Sequence, residues 1–489
     1  MSCVRKSEDS EQYGFQVVPT SLDGLTKDWC DKAFKTEPPK CPAIASDVFV
    51  SAVELKKFQN EISGISDGGG FSGSELVRVI PTYSGNINGD EPSSCVCKLS
   101  HGGGYKLSFL WRFMMYMSNG GGYDEYQYRQ ETNFLKYVLP VMETTLYKYP
   151  KMYFYGIEDK GDRGFGSSVL LDKPTKVKAV ILMEDMKGWR SSAPGVTISK
   201  KDAILCVKNV AILHATFWGE NEKDVKEKFG PSKSEKDYRP GAHSKAQAKF
   251  RKFNFKTDKI QKSVNKIIDS DWKTSPMTTI RKGSMSPDWL TVEALENGDR
   301  PIFGDPLVLE MLGVLAAKAP NYNRLKLKNF LKKPLQTILH GDFHAGNHMY
   351  GVGEHEGKIV ALDYQWAGTG RVATEFIYFF MQSLSPHSYE EVMDIFKTYH
   401  DTLVMNGVDS YDWEEFKDDI EMSFVEICML LFGFFTMMKP KTLLNLADGF
   451  GEKGEALRKM FENGMYAKFY VFLTSIYLND KDGFLTVKE

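Results

Sequence analysis

The chain lacks an apolar run long enough to cross a bilayer, and nothing in its opening MSCVRKSEDSEQYGF resembles a signal sequence. Its most apolar stretch, FVEICMLLFGFFTMM at 424–438, is too short and holds Glu426 and Gly433. It reads as a buried helix. Net charge is also nearly absent: 62 Lys and Arg against 64 Asp and Glu leave −2, with no electrostatic reason to expect nucleic acid as partner. Cysteines are few and odd in number, seven in all (Cys3, Cys30, Cys41, Cys95, Cys97, Cys206, Cys428), with no C-x-x-C pair. Their odd number and scatter fit a reducing compartment best. Cys95 and Cys97 alternate along a predicted strand and read as packing residues. There is no Walker loop and no A-P-E segment, and the C-terminal TVKE carries no recognised address. A cytoplasmic protein without membrane insertion is expected.

What the chain does hold is HGDFHAGNHMY at 340–350 followed by ALDYQ at 361–365. The intervening HMYGVGEHEGKIVAL sets two apolar runs around a Gly- and Glu-rich turn, the pattern of a short β-hairpin. A turn centred on His355 leaves Asn347 and Asp363 eight residues to either side, so antiparallel pairing would face an amide oxygen and a carboxylate into one space. Such oxygen ligands suit Mg²⁺, which takes one or two protein carboxylates together with phosphate oxygens. His340, His344 and His348 recur every four residues and would stack on a helix as a zinc site, but Gly341 and Gly346 argue against that helix.

Residues 1–45 form a polar extension closed by Pro38, Pro39 and Pro42, and DVFVSAVELKKFQNEISG after it is expected to open the domain as a helix. The loop SDGGGFSGSELVRVIPTY at 66–83 frees backbone amides at Gly68, Gly69, Gly70 and Ser72 to approach phosphate oxygens. SSCVCKLS at 93–100 is a predicted strand bearing Lys98. YDEYQYRQETNFLKYVL is a predicted helix, stopped by Pro140, with Glu131, Leu135 and Val138 on one face. A carboxylate among apolar neighbours needs a cation, and Lys98 is the natural candidate. KAVILMEDMKG at 178–188 reads as a strand buried on both faces and leaving through acidic residues. TISKKDAILCVKNVAILHATFWG at 197–219 opens on a capping box, Ser199 to Asp202, and His214 on its apolar face reads as a hydrogen-bonded core residue. From 219 to 299 the composition is polar and Lys-rich, with Lys245, Lys249, Arg251, Lys252, Lys256, Lys259, Lys262 and Lys266 expected to face water.

The H-G-D-x-H-x-x-N order at 340–347, the D-aromatic-Q at 363–365 and the L-H-A-x-F-W at 213–218 resemble the CHK-like, ecdysteroid kinase-like branch of the aminoglycoside phosphotransferase and choline kinase superfamily. Gly341 in place of Arg, and Tyr364-Gln365 in place of Phe-Gly, separate the chain from protein kinases. The resemblance, over roughly 60–480, implies an α+β, protein-kinase-like bilobal fold. It would have a small antiparallel-sheet N-lobe at 46–186 and a mostly helical C-lobe at 187–489, with an acceptor-site insertion at about 219–300. It implies ATP and Mg²⁺ as cofactors, Asp342 as the acceptor of a hydroxyl proton, Asn347 and Asp363 on the metal, and His340 and His344 in support. Lys98 paired with Glu131 would hold phosphates, and the backbone of Glu184, Asp185 and Met186 would read adenine. One departure is Glu375, where relatives carry an Asp that supports the catalytic loop; the extra methylene is expected to rearrange that support. The implied activity is phosphoryl transfer to an alcohol of a small molecule, steroid-like or otherwise hydroxylated, and a neutral acceptor is expected because the lysines face water. A choline- or aminoglycoside-type kinase with a cationic acceptor, and a nucleotide-binding scaffold without activity, are the alternatives.

Overall fold

The computed structural model describes residues 18–19, 21–36, 44–58, 74–100, 123–161, 176–192, 196–230, 257–268, 270–280, 299–322, 333–384, 389–437, 439–449, 458, 462 and 464–486. The chain forms two compact units: residues 1–191 with 349–366, and residues 192–348 with 367–489. Their make-up is the expected α+β class, an antiparallel sheet in the first and helices dominating the second.

In the first unit, β1 (Val48–Lys57), β2 (Ser74–Gly85), β3 (Cys95–Ser100), β4 (Met152–Asp159) and β5 (Val177–Glu184) make one sheet in the order β1-β2-β3-β5-β4, every pairing antiparallel. The expected helix at 47–64 is overturned: its described part is the edge strand β1. A register shift between Val50 and Ala52 breaks the alternation, so the apolar Val50 and Val53 fall three apart and imitate a helical period. The amino-terminal extension is not idle. Its helix α1 (Lys27–Lys35), capped by Thr26, buries Cys30, Ala33 and Phe34 against the sheet, and Asp31 Oδ1 accepts the N–H of Val50 at 2.8 Å. That covers part of an edge that would otherwise offer unpaired groups. Cys95 and Cys97 are both buried packing residues.

Helix α2 (Tyr123–Asn133) does not stop at Pro140. It widens into a π-turn at Phe134–Val138 and resumes at Leu139–Met142 with Pro140 in its first turn. Proline has no N–H for the bond to residue 136 and its ring crowds that carbonyl, so a widened turn just before it is the physical remedy. The later segment of the unit is a hairpin of His348–Gly351 and Ile359–Ala361, closed by a 3-10 turn at Gly353–His355, with β6 (Trp189–Ser191) on its other edge.

The second unit is built on α3 (Lys200–Thr216), α4 (Thr257–Ile268), α5 (Pro306–Tyr322), α6 (Val372–Ser383), α7 (Tyr389–Met405), α8 (Trp413–Met437), α9 (Pro440–Gly449) and α10 (Met465–Asn479). The capping box forms as predicted, Ser199 Oγ accepting from Asp202 N–H at 3.1 Å. Phe376 packs on Tyr399, Phe396 and Phe416, and Phe380 on Phe424 and Phe472, so α6 is the hub of an aromatic core. As far as Met437 the apolar run lies in α8, where Phe424 to Cys428 are buried, and no helix among the described residues is long and apolar enough to cross a membrane. On α4, Lys262 and Lys266 are exposed while Val264 and Ile267 are buried, the solvated face expected; Lys245, Lys249, Arg251, Lys252 and Lys256 lie outside the described residues.

Candidate active site

The candidate residues fall into two groups, one in each unit. In the first, Lys98 on the central strand β3 is buried and its Nζ donates to Glu131 Oε1 at 2.7 Å and to Asp363 Oδ1 at 2.8 Å. Burial pulls the ammonium down, but the carboxylates of Asp363 and Glu131 more than offset it and hold it above its ordinary value. Glu131 is pushed up: burial is the larger effect, Lys98 opposes it, and Asp363 adds to it. Two acids therefore share one cation.

Local structure explains how three distant residues meet. Asp363 has a left-handed φ of 62°, uncommon for a residue with a side chain. The residue after it, Tyr364, stacks on Phe134 of the π-turn with ring centroids 3.8 Å apart and donates to Ala361 O at 3.0 Å. The widened turn thus fixes the helix that carries Glu131 to the segment that carries Asp363. This clamp was invisible in the helical pattern, although Pro140 marked the place. Gly68, Gly69, Gly70 and Ser72 lie outside the described residues.

At the exit of β5, both acidic side chains are engaged within the fold. Glu184 accepts from Lys151 N–H at 3.0 Å, while Asp185 takes Ser94 Oγ at 2.7 Å and pairs with Arg78 at 2.7 Å. Met186 O accepts from Trp189 N–H at 3.2 Å, closing a turn through Gly188, whose φ is 75°.

In the second unit the loop 340–347 is buried and densely bonded. Gly341 has φ 83°, a left-handed conformation that glycine adopts without steric cost. Asn347 Nδ2 donates to Asp342 O at 2.9 Å and to its Oδ2 at 3.3 Å, and His344 Nε2 lies 3.8 Å from the same Oδ2. His344 Nδ1 accepts from Gly346 N–H at 3.0 Å, so this ring caps the 3-10 turn Ala345–Asn347 that presents Asn347. His340 Nδ1 accepts weakly from Asp342 N–H at 3.4 Å and its ring stacks on His348. Burial drives His348 down to about 3, so it is neutral at any ordinary pH. No group of three His, Cys, Asp or Glu able to hold a metal occurs among the described residues, which removes the zinc arrangement.

Glu375 holds the loop from within the fold. The support is present despite the longer side chain: Oε1 accepts Gly341 N–H at 2.6 Å and Oε2 meets His214 Nε2 at 2.8 Å, with His214 Nδ1 on Tyr399 Oη at 2.9 Å. Glu375 and His214 are fully buried. The predicted hydrogen-bonded core histidine is thus also the anchor of the carboxylate that holds the loop.

Each unit offers an oxygen of the kind Mg²⁺ takes: the Asn347 amide in the second, and in the first the Asp363 carboxylate, which has an oxygen beyond its lysine bond.

Residues 318–407, which span the loop, Asp363 and Glu375, match the model of the ecdysteroid kinase-like family, the resemblance drawn from the motifs. No curated protein matches. Among solved structures, the chain is similar to a putative aminoglycoside phosphotransferase from Ralstonia eutropha JMP134 (12% identity, TM-score 0.36, 86% of this chain and 93% of that one). It is also similar to a spectinomycin phosphotransferase in complex with ADP and spectinomycin (11%, 0.36, 87% and 93%) and to a microcompartment-associated aminopropanol kinase (12%, 0.35, 89% and 95%).

Proposed function

We propose that this chain transfers the γ-phosphoryl group of ATP, with Mg²⁺, to a hydroxyl of a small-molecule metabolite or xenobiotic. The observation that carries the reading is Lys98 held between Glu131 and Asp363, a buried cation with one carboxylate fixed and one turned partly to solvent. Lys333 also meets two acids, Glu415 and Asp419, but its side chain is 35% exposed, whereas that of Lys98 is 7% exposed. Support comes also from the family match over the loop.

Each residue then has a task. Lys98, oriented by Glu131, draws in the α- and β-phosphates. Asp363 and Asn347 hold Mg²⁺, which when bound neutralises charge on the transferring phosphates. Asp342 accepts the proton of the attacking hydroxyl; its carboxylate is kept in place by Asn347 and its backbone by the Glu375 bond to Gly341. The backbone at 184–186 reads the adenine edge, and the segment 219–300 walls the acceptor. Most of the rate then arises from positioning and charge neutralisation.

The test is incorporation of label from γ-labelled ATP into a broad alcohol panel. Mg²⁺-dependent labelling, lost in Asp342→Asn, is the expected result. ATP binding without labelling of any alcohol would make the chain a nucleotide-binding scaffold.

A further inference from the structure

Lys468, in the first turn of α10, is 3% exposed, yet its ammonium meets no carboxylate among the described residues. Its hydrogen bond there is to Thr197 Oγ1, at 2.8 Å. An ammonium has three protons to donate, and a neutral hydroxyl satisfies one of them. Burial beside a neutral hydroxyl, with no counter-charge among the described residues, is the costly arrangement for a lysine, and burial brings the group down to about 8.

The position along the helix adds to this. The N-cap of α10 is Gly464, with no side-chain cap, and the first turn carries no acid. Helices ordinarily place an acid or a capping oxygen at that positive end. Helical side chains lean toward the N-terminus, so the Lys468 charge is added to the helix's own. A lysine there is the wrong residue for stability alone and a suitable one for binding an anion.

Hydrogen bonds tie this place to the catalytic loop. Thr197, which is exposed, precedes Ile198, whose N–H donates to Ser383 O at 2.9 Å; Ser383 Oγ accepts from Ala345 N–H at 2.7 Å, inside the loop that carries Asp342. Tyr466, two residues before Lys468, meets Trp272 edge-on at 6.1 Å, and Trp272 belongs to the segment expected to wall the acceptor.

We infer that Lys468 and Thr197, at the amino end of α10, recognise an oxyanion on the hydroxylated acceptor: a carboxylate, sulfate or phosphate. This rests on the kinase reading, and it replaces the neutral acceptor expected from the exposed lysines of α4. The test uses the full chain and paired acceptors, hydroxysteroids against their sulfate monoesters and glycosides against glycuronates. Binding of inorganic sulfate is followed in parallel by calorimetry. Wild type should favour the anionic member of a pair, and Lys468→Met should reduce that preference roughly 10- to 100-fold, the loss of one charge-assisted hydrogen bond. Thr197→Val, which leaves the lysine in place, should reduce it less. An unchanged preference in a folded Lys468→Met protein would overturn the assignment. So would sulfate binding that depends on Lys468 with no discrimination among acceptors, which would make this a free-anion site. Failure of the kinase reading looks different: no acceptor of either kind is phosphorylated, while sulfate binding still depends on Lys468.

Discussion

In the first unit one lysine faces two carboxylates, and one of these, Asp363, keeps its side chain 24% exposed on a left-handed backbone. In the second unit Glu375 has one oxygen on a backbone N–H and the other on an imidazole whose far nitrogen meets Tyr399, all fully buried. The first group sets two acids on one lysine and is locally strained; the second is satisfied at every atom named. Strain persists where a ligand will use it, whereas a satisfied buried network rigidifies. On the proposed reading this is a division of labour: the Lys98 group would change on binding cation and nucleotide, and the Glu375 group would keep the loop still.

Substitutions should separate the two. The largest effect on turnover is expected at the loop itself: Asp342→Asn should lower kcat by roughly 10²- to 10⁴-fold while ATP binding persists, and equal losses of both would make Asp342 a metal ligand instead. In the first unit, Asp363→Asn should raise the Mg²⁺ needed for half-saturation with ATP by about 100-fold or more, since loss of even an outer-shell partner costs about 10- to 100-fold. Its melting temperature should not fall, because the remaining Lys98–Glu131 pair is neutral and Asn tolerates the left-handed backbone. In the second unit the pattern reverses. Glu375→Ala should cost about 3–5 kcal/mol in chemical denaturation and Glu375→Gln about 1–3 kcal/mol. A destabilised Asp363→Asn together with an undisturbed Glu375→Ala would invert the comparison.

The smallest effect concerns pH. Lys468 in the folded chain titrates near 8, below its ordinary value of 10.5, so between those values the unfolded state holds more protons and this residue's contribution to stability rises with pH. At pH 7 the buried ammonium is a cost, so Lys468→Met should be the more stable protein there. Its advantage should shrink as pH rises from about 8 to about 10.5. A difference that stays constant across that window would mean that Lys468 is not held in this environment.

Much of this was legible in the sequence because the chemistry is concentrated in short polar motifs. The pairing of Lys98 with Glu131 followed from a buried carboxylate needing a cation, and His214 from its place on an apolar face. Three features were hidden, each for a physical reason. β1 read as a helix because one bulge turns a two-residue period into a three-residue one. The helix at 123–142 read as ending at Pro140 because a π-turn has no sequence period of its own. Lys468 gave no signal, since a lysine in an apolar helix ordinarily reaches solvent along its stem, and its burial depends on neighbours from Thr197 onward that only the tertiary fold assembles.

The measurement that bears most directly on the account is single-turnover transfer from γ-labelled ATP to the alcohol panel, with ATP binding followed on the same samples for wild type and Asp342→Asn. The account predicts Mg²⁺-dependent label in an alcohol product for the wild type, and bound ATP with little or no label for the variant. Wild-type protein that binds ATP and labels no alcohol, or an Asp342→Asn protein that transfers at the wild-type rate, would contradict it.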